Sequence, residues 1–153
     1  MSRATPKYVL DTQIFITAFR DPTANGVLER FHAAFAPFEH LSVVVAQELR
    51  AGARSPRDRD MLDEYVLSLY ERTSRVITPS RDAWHRSGDV LSEMANRDGL
   101  ELARLSKSFA NDVLLALSCR ESGCVLVTEN VRDFERIHRY VPFDFVRPWP
   151  VVG

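Results

Sequence analysis

Residues 110–134 read ANDVLLALSCRESGCVLVTENVRDF, and the order of elements within them sets the architecture expected of the whole chain. Asn111–Ser122 reads as a helix, and Gly123 closes it, since glycine takes the left-handed conformation common just past a helix end. Cys124–Thr128 is a short apolar run without polar alternation, as in a strand covered on both faces. Val131–Tyr140 reads as the next helix, stopped by Pro142. A buried strand between two helices belongs to a parallel sheet with helical crossovers.

The remainder of the chain repeats this alternation. Tyr8–Leu10 is a short apolar run, and Thr12–Arg20 a helix ended by Asp21-Pro22. A second helix is expected over residues 25–36, capped by Asn25 and stopped by Pro37. Leu41–Val45 reads as a second buried strand, and Gln47–Ala53 as the helix after it. Arg57–Ser74 reads as a long amphipathic helix with Met61, Leu62, Tyr65, Val66, Leu69 and Tyr70 on one stripe, facing either the core or a partner. Val76–Thr78 is a third strand, followed by a helix from Pro79-Ser80 to about Arg97. Leu100–Phe109 reads as a short helix and then a loop. Phe143–Val146 is a last strand, and the tail RPWPVVG reads as loose, with Trp149 available to dock. The expected fold is α/β, a parallel sheet of about four to five strands sandwiched between helices.

With 153 residues, 45% hydrophobic and 27% charged, the chain has the composition of one soluble globular domain. The expected core spans about residues 7–147. A net charge of −1 neither requires nor excludes a nucleic-acid partner. The cations are lopsided: of 20 Lys+Arg only Lys7 and Lys107 are lysines. Arginine holds phosphate bidentately and stacks on bases, although genome composition also favours it. Cys119 and Cys124 are too few for a disulfide framework and lack zinc spacing, so buried free thiols are expected. No apolar run approaches the roughly 18 residues of a membrane span, and Asp11 interrupts any signal-like segment behind Arg3 and Lys7. The expected location is cytoplasmic.

In open α/β sheets ligands bind beyond the carboxyl ends of the strands. Four acids fall at or near that edge: Asp11 after the first strand, Glu48 after the second, Asp112 in the helix before the fourth, and Asp133 after the fourth. Each has a plain alternative. Asp11 can cap a helix, Glu48 and Asp112 can sit against a helix dipole, and Asp133 can be a solvated surface acid. Asp11 stands apart, because a charge between two apolar runs needs compensation. If the four converge, two carboxylates about 5 Å apart repel by roughly 3 kcal/mol at an effective dielectric of 20. Either carboxyl pKa values rise or a cation sits among them. An all-oxygen set favours Mg²⁺ or Mn²⁺ over Zn²⁺.

Other chemistries lack their motifs. There is no GxGxxG, no GxxxxGK[ST] and no GxSxG, so phosphate-cradling loops and a serine nucleophile are unsupported. A haloacid-type phosphatase needs a second Asp where Gln13 stands, and a receiver domain needs an acid pair after the first strand.

The segments YVLDTQIFI, VVAQELRAG and ANDVLLALSCRESGCVLVTENVRDF together resemble the PIN-domain ribonucleases, and most closely the VapC-type toxins of toxin–antitoxin pairs. The resemblance spans residues 8–134. It implies a single three-layer PIN-like domain over 1–153 with a short C-terminal tail. It also implies a Mg²⁺- or Mn²⁺-dependent endoribonuclease that cuts RNA with metal-activated water. By position, Asp11, Glu48 and Asp112 correspond to the acids that hold metal and orient water, with Asp133 the fourth. Thr12, Thr128 and Asn130 correspond to polar supports. Gln13 departs from the small polar residue usual there. Arg50, Arg54, Arg57 and Arg59 lie near Glu48, and Arg104 and Lys107 precede Asp112, so these cations can hold RNA phosphate or merely solvate the surface. A cognate antitoxin reaching the acids with a basic side chain, and a homodimer, are further implications. The rivals are a non-catalytic PIN-like module binding RNA or protein, and another Mg²⁺ enzyme such as a DNA nuclease or phosphatase.

Overall fold

The structure is a computed structural model and describes residues 5–150. Five strands form one all-parallel sheet in the order β3-β2-β1-β4-β5. They are β1 (Lys7–Leu10), β2 (Glu39–Ser42), β3 (Val76–Ile77), β4 (Cys124–Val127) and β5 (Asp144–Val146). The helices are α1 (Thr12–Arg20), α2 (Pro22–Phe35), α3 (Val43–Gly52), α4 (Pro56–Leu62), α5 (Ser68–Glu71), α6 (Arg81–Asp98), α7 (Lys107–Ser122) and α8 (Val131–His138). Helical crossovers join every consecutive pair of strands, which with right-handed connections gives a three-layer sandwich. β1 and β4 are neighbours, but the chain leaves β1 toward β2 and leaves β4 toward β5. The crevice between their carboxyl ends is therefore the topological switch point, where such sheets bind ligands.

The strands are apolar because both faces are covered. Val9, Leu126 and Val127 are fully buried, and they meet Phe15, Val113, Leu115, Phe134 and Ile137 from the helices in one core. Trp149 docks on Phe31, ring centres 4.9 Å apart. Residues 151–153 of the tail, like Arg3 at the other end, lie outside the described residues. Both cysteines are free and buried. Among the described residues no helix is long and apolar enough to cross a membrane.

Several boundaries differ from the sequence reading, each for a local reason. α2 starts at Pro22 and not near Asn25, because the Asp21 carboxylate accepts from Thr23 N–H at 2.9 Å and Pro22 suits the first helical position. The second strand ends at Ser42, and Val43-Val44-Val45 open a helix. The Ser42 hydroxyl accepts from Val44 N–H at 3.1 Å, and Val44 and Val45 are buried. Capping and burial outweigh the β preference of three valines. β2 begins earlier, at Glu39, whose carboxylate meets His32 Nδ1 at 2.6 Å and accepts from Tyr70 OH at 3.4 Å.

The helix expected over 57–74 is interrupted by a π turn, Asp63–Leu67. Its stripe divides: Leu62 and Tyr70 are buried, whereas Met61, Tyr65 and Leu69 face solvent. α7 begins four residues before Asn111, capped by the Ser106 hydroxyl accepting from Phe109 N–H at 3.1 Å. The short helix expected after Leu100 is a single 3-10 turn, Leu102–Arg104.

Candidate active site

β1 delivers Asp11 to the switch point. Tyr8, Val9 and Leu10 lock the strand into the core, and Asp11 N–H still donates to Val127 O at 3.0 Å, continuing the ladder by one residue. Asp11 is only 6% exposed. It does cap α1, through Oδ1 accepting from Thr12 N–H at 2.8 Å. Its other oxygen, Oδ2, accepts from the Thr128 hydroxyl at 2.7 Å. Thr128 follows β4 directly and is fully buried. The same Thr128 oxygen accepts from Asn130 N–H at 3.0 Å, which fixes the turn into α8.

Glu48 and Asp112 arrive from two helices. The early starts of α3 and α7 make each the sixth residue of its helix, in the second turn and beyond the reach of the dipole explanation. Glu48 Oε1 accepts from the Thr12 hydroxyl at 2.7 Å, tying α3 to the start of α1. Asp112 is 6% exposed. The Asn130 amide Nδ2 lies 3.2 Å from Asp133 Oδ2 and a longer 3.4 Å from Asp112 Oδ2. Its two hydrogens serve one carboxylate each.

The four acids share one electrostatic site. Burial pushes the Asp112 carboxyl up to about 8, and the charges of Asp11, Glu48 and Asp133 push the same way. Burial also raises Asp11; the bonds from Thr128 and from Thr12 N–H pull it back, and Glu48 adds to the rise. Among the described residues, no Lys, Arg or His forms an ion pair with any of the four. Nor are any three of them already set as ligands of one ion. The donor set nevertheless suits a hard divalent cation: it is all oxygen, buried at Asp11 and Asp112 and half-buried at Glu48 and Asp133, and no ion pair among the described residues neutralises it. Without a cation, Asp112 keeps its proton to a higher pH than an ordinary carboxyl does.

The cations named from sequence are less concentrated on the site. Arg50 pairs with Asp63 at 2.8 Å and Arg104 with Glu101 at 3.2 Å. Arg54, Arg57, Arg59 and Lys107 are exposed. Sequence reading missed Arg136, whose guanidinium lies 5.1 Å from the centre of the Phe109 ring. Arg136 is one turn beyond Asp133, and Phe109 one turn before Asp112, so a cation flanks the acids; the three-residue spacing from Asp133 was its available signal. Also missed was a bond between the neighbours of two acids, Asn111 Nδ2 donating to Gln47 Oε1 at 3.2 Å.

Residues 8–140 match the family model described as PIN domain. No curated protein sequence matches the chain. Among solved structures, FitAcB from Neisseria gonorrhoeae is similar, with 17% identity and a TM-score of 0.68 over 94% of this chain and 99% of that one. DNA-bound VapBC from Salmonella typhimurium has 21% identity and a TM-score of 0.68 over 94% and 98%. A toxin–antitoxin complex from Klebsiella pneumoniae has 20% identity and a TM-score of 0.60 over 95% and 100%. At these identities the likeness is one of fold.

Proposed function

Since the chain belongs to the PIN-domain family, we propose that it is a divalent-metal-dependent endoribonuclease and the VapC-like toxin of a toxin–antitoxin pair. The observation that carries the reading is the meeting of four acids from four elements, with Asp112 held up to about 8 by burial and by the other three. In this reading Asp11, Glu48, Asp112 and Asp133 hold Mg²⁺ or Mn²⁺. When bound, the ion neutralises phosphate charge and makes water a better nucleophile. Thr128 donates to Asp11 Oδ2 and Thr12 to Glu48 Oε1, which fixes one oxygen of each acid. Asn130 keeps Asp112 and Asp133 from repelling each other apart. The carboxylates take up the proton that the attacking water loses. Hydrolysis then leaves a 5′-phosphate on one fragment and a 3′-hydroxyl on the other.

Cleavage of single-stranded RNA with and without Mg²⁺ tests the reading, alongside Asp11→Asn and Asp112→Asn. Loss of at least about a hundredfold in kcat is expected from each variant. Folded variants that cut as fast as the parent refute the assignment. A 2′,3′-cyclic phosphate product also counts against it, since that marks attack by the RNA's own 2′-hydroxyl.

The partners follow from the same reading: an antitoxin chain that covers the acids with a basic side chain, and a second copy forming a homodimer, in a cytoplasmic protein of one domain. Of the cations named from sequence, Arg54, Arg57, Arg59 and Lys107 are exposed and left to hold RNA phosphates, with Arg50 and Arg104 already engaged by acids. The rival is a non-catalytic module that binds RNA or protein. On its side stands the absence, among the described residues, of three acids already set around one ion. Calorimetric titration with Mg²⁺ separates the two, because a binding module needs no metal.

A further inference from the structure

A second concavity opens on the same edge of the sheet as the acids. Thr78 and Pro79 follow β3 directly, and with Trp84, Leu114, Gln47 and Asn111 they line an open concavity of about 270 Å³. That volume is below the roughly 300–1,000 Å³ of drug-sized ligand sites, so it suits one flat ring system. Trp84 is 58% exposed, an indole left open to water at the mouth of the cavity. Gln47 and Asn111 immediately precede Glu48 and Asp112 in sequence, and their mutual bond joins α3 to α7. That bond uses Gln47 Oε1 and one Asn111 hydrogen, leaving Gln47 Nε2 to donate and Asn111 Oδ1 to accept.

We propose that this cavity holds a nucleobase of the RNA whose backbone crosses the acids, stacked on Trp84 and read by the Gln47–Asn111 amide pair. The inference rests on the ribonuclease reading and names the part of that substrate which the acids cannot recognise. Three observations favour a base over a protein side chain. The cavity adjoins the acid site along the rim: its lining residues Gln47 and Asn111 stand next to Glu48 and Asp112 in sequence, and it lies at the ends of β2 and β3, with the acids at the ends of β1 and β4. Two strand spacings, roughly 10 Å, separate β3 from β1, a span that roughly one or two nucleotides of single strand cover. An open aromatic face beside a free donor and a free acceptor matches the stacking and edge contacts by which single-stranded RNA is bound.

The test uses Trp149→Phe, which leaves Trp84 as the only tryptophan of the chain's two, with Asp112→Asn added so that RNA stays uncut. A mixed-sequence RNA oligonucleotide is titrated in Mg²⁺ while Trp84 fluorescence is read, and the same oligonucleotide made abasic is the control. Quenching by the RNA and not by the abasic strand is expected. Trp84→Ala, followed by fluorescence anisotropy of labelled RNA, should weaken binding by about 5- to 100-fold, and Trp84→Phe should restore most of it. In the otherwise unmodified protein, Trp84→Ala should raise KM in the same ratio and leave kcat within about twofold. Unchanged affinity in Trp84→Ala, or equal binding of the abasic strand, overturns the inference. So does quenching by an antitoxin chain but not by RNA, which would make the cavity a protein site. If the unmodified protein cuts no RNA and Trp84 is still quenched, the ribonuclease reading fails and the base site stands. If it cuts RNA with KM indifferent to Trp84, the reverse holds.

Discussion

The sharpest consequence of the buried acids is a stability that falls as pH rises in metal-free protein. Asp112 has its carboxyl pushed up to about 8, first by burial and then by Asp11, Glu48 and Asp133, from an ordinary 3.8. The folded state thus binds this proton more tightly than the unfolded chain. A group raised in this way contributes its full stability below the unfolded pKa. It loses that stability progressively as pH climbs through about 4 to about 8, and the loss levels off above that. Relative to the protonated limit, the loss is about 2 kcal/mol at about pH 5 and about 5 kcal/mol at about pH 8. The difference, between about 3 and 4 kcal/mol, is a large fraction of the stability of a domain this size.

Urea denaturation in EDTA at the two pH values reads it directly. Asp112→Asn cannot ionise, so most of the slope should vanish and the variant should be the more stable protein at about pH 8. A smaller slope of the same sign remains, because burial raises Asp11 too. Mg²⁺ at about pH 8 should restore the parent, since binding only to the folded state adds to its stability, and should do far less for Asp112→Asn. If the metal-free parent is equally stable at both pH values, or Asp112→Asn keeps the full slope, the acids do not form one coupled site and the argument for a cation among them falls.

Three further perturbations probe the supports. Thr128→Val removes the hydroxyl that donates to Asp11 Oδ2 at 2.7 Å; the buried oxygen left without a partner should cost about 1–3 kcal/mol by chemical denaturation. The cost should be larger at about pH 8 than at about pH 5, because Thr128 favours the ionised Asp11. Asn130→Asp replaces the donor between Asp112 and Asp133 with a fifth carboxylate. The melting temperature in EDTA should drop by several degrees and recover in Mg²⁺, and a melt indifferent to both would show that Asn130 does not screen the acids. Gly123 sits at φ +68° where α7 turns into β4, with open space where a Cβ would stand, so Gly123→Ala should cost about 1–2 kcal/mol through backbone strain alone. Heat-capacity melts check this, and a loss well above that range would point to a packing clash.

The fold was legible where burial dictated composition. Tyr8–Leu10 and Cys124–Thr128 read as strands because a parallel strand covered on both faces admits almost no polar residue, and the second ends one residue earlier, at Val127. Asp11 was legible for the complementary reason, since a charge between two apolar runs is tolerable only at an edge with partners. Val43–Val45 misled because its β preference is a local property, whereas Ser42 capping and the contacts of α3 are not visible until α3 has somewhere to pack. The supports Thr12 and Thr128 were named by the family resemblance alone, without their partners. Thr12 meets Glu48 across 36 positions and Thr128 meets Asp11 across 117, and no periodicity encodes a contact at such separation. Gln47, Asn111 and Trp84 lay further out of reach, because each looks like ordinary surface until α3, α6 and α7 are placed side by side. The early start of α7 matters most for function. By moving Asp112 into the second turn it removes the helix dipole as a reason for that acid. What remains is a buried, unneutralised carboxylate facing three others, and such a group is stable only with a proton or a metal ion beside it.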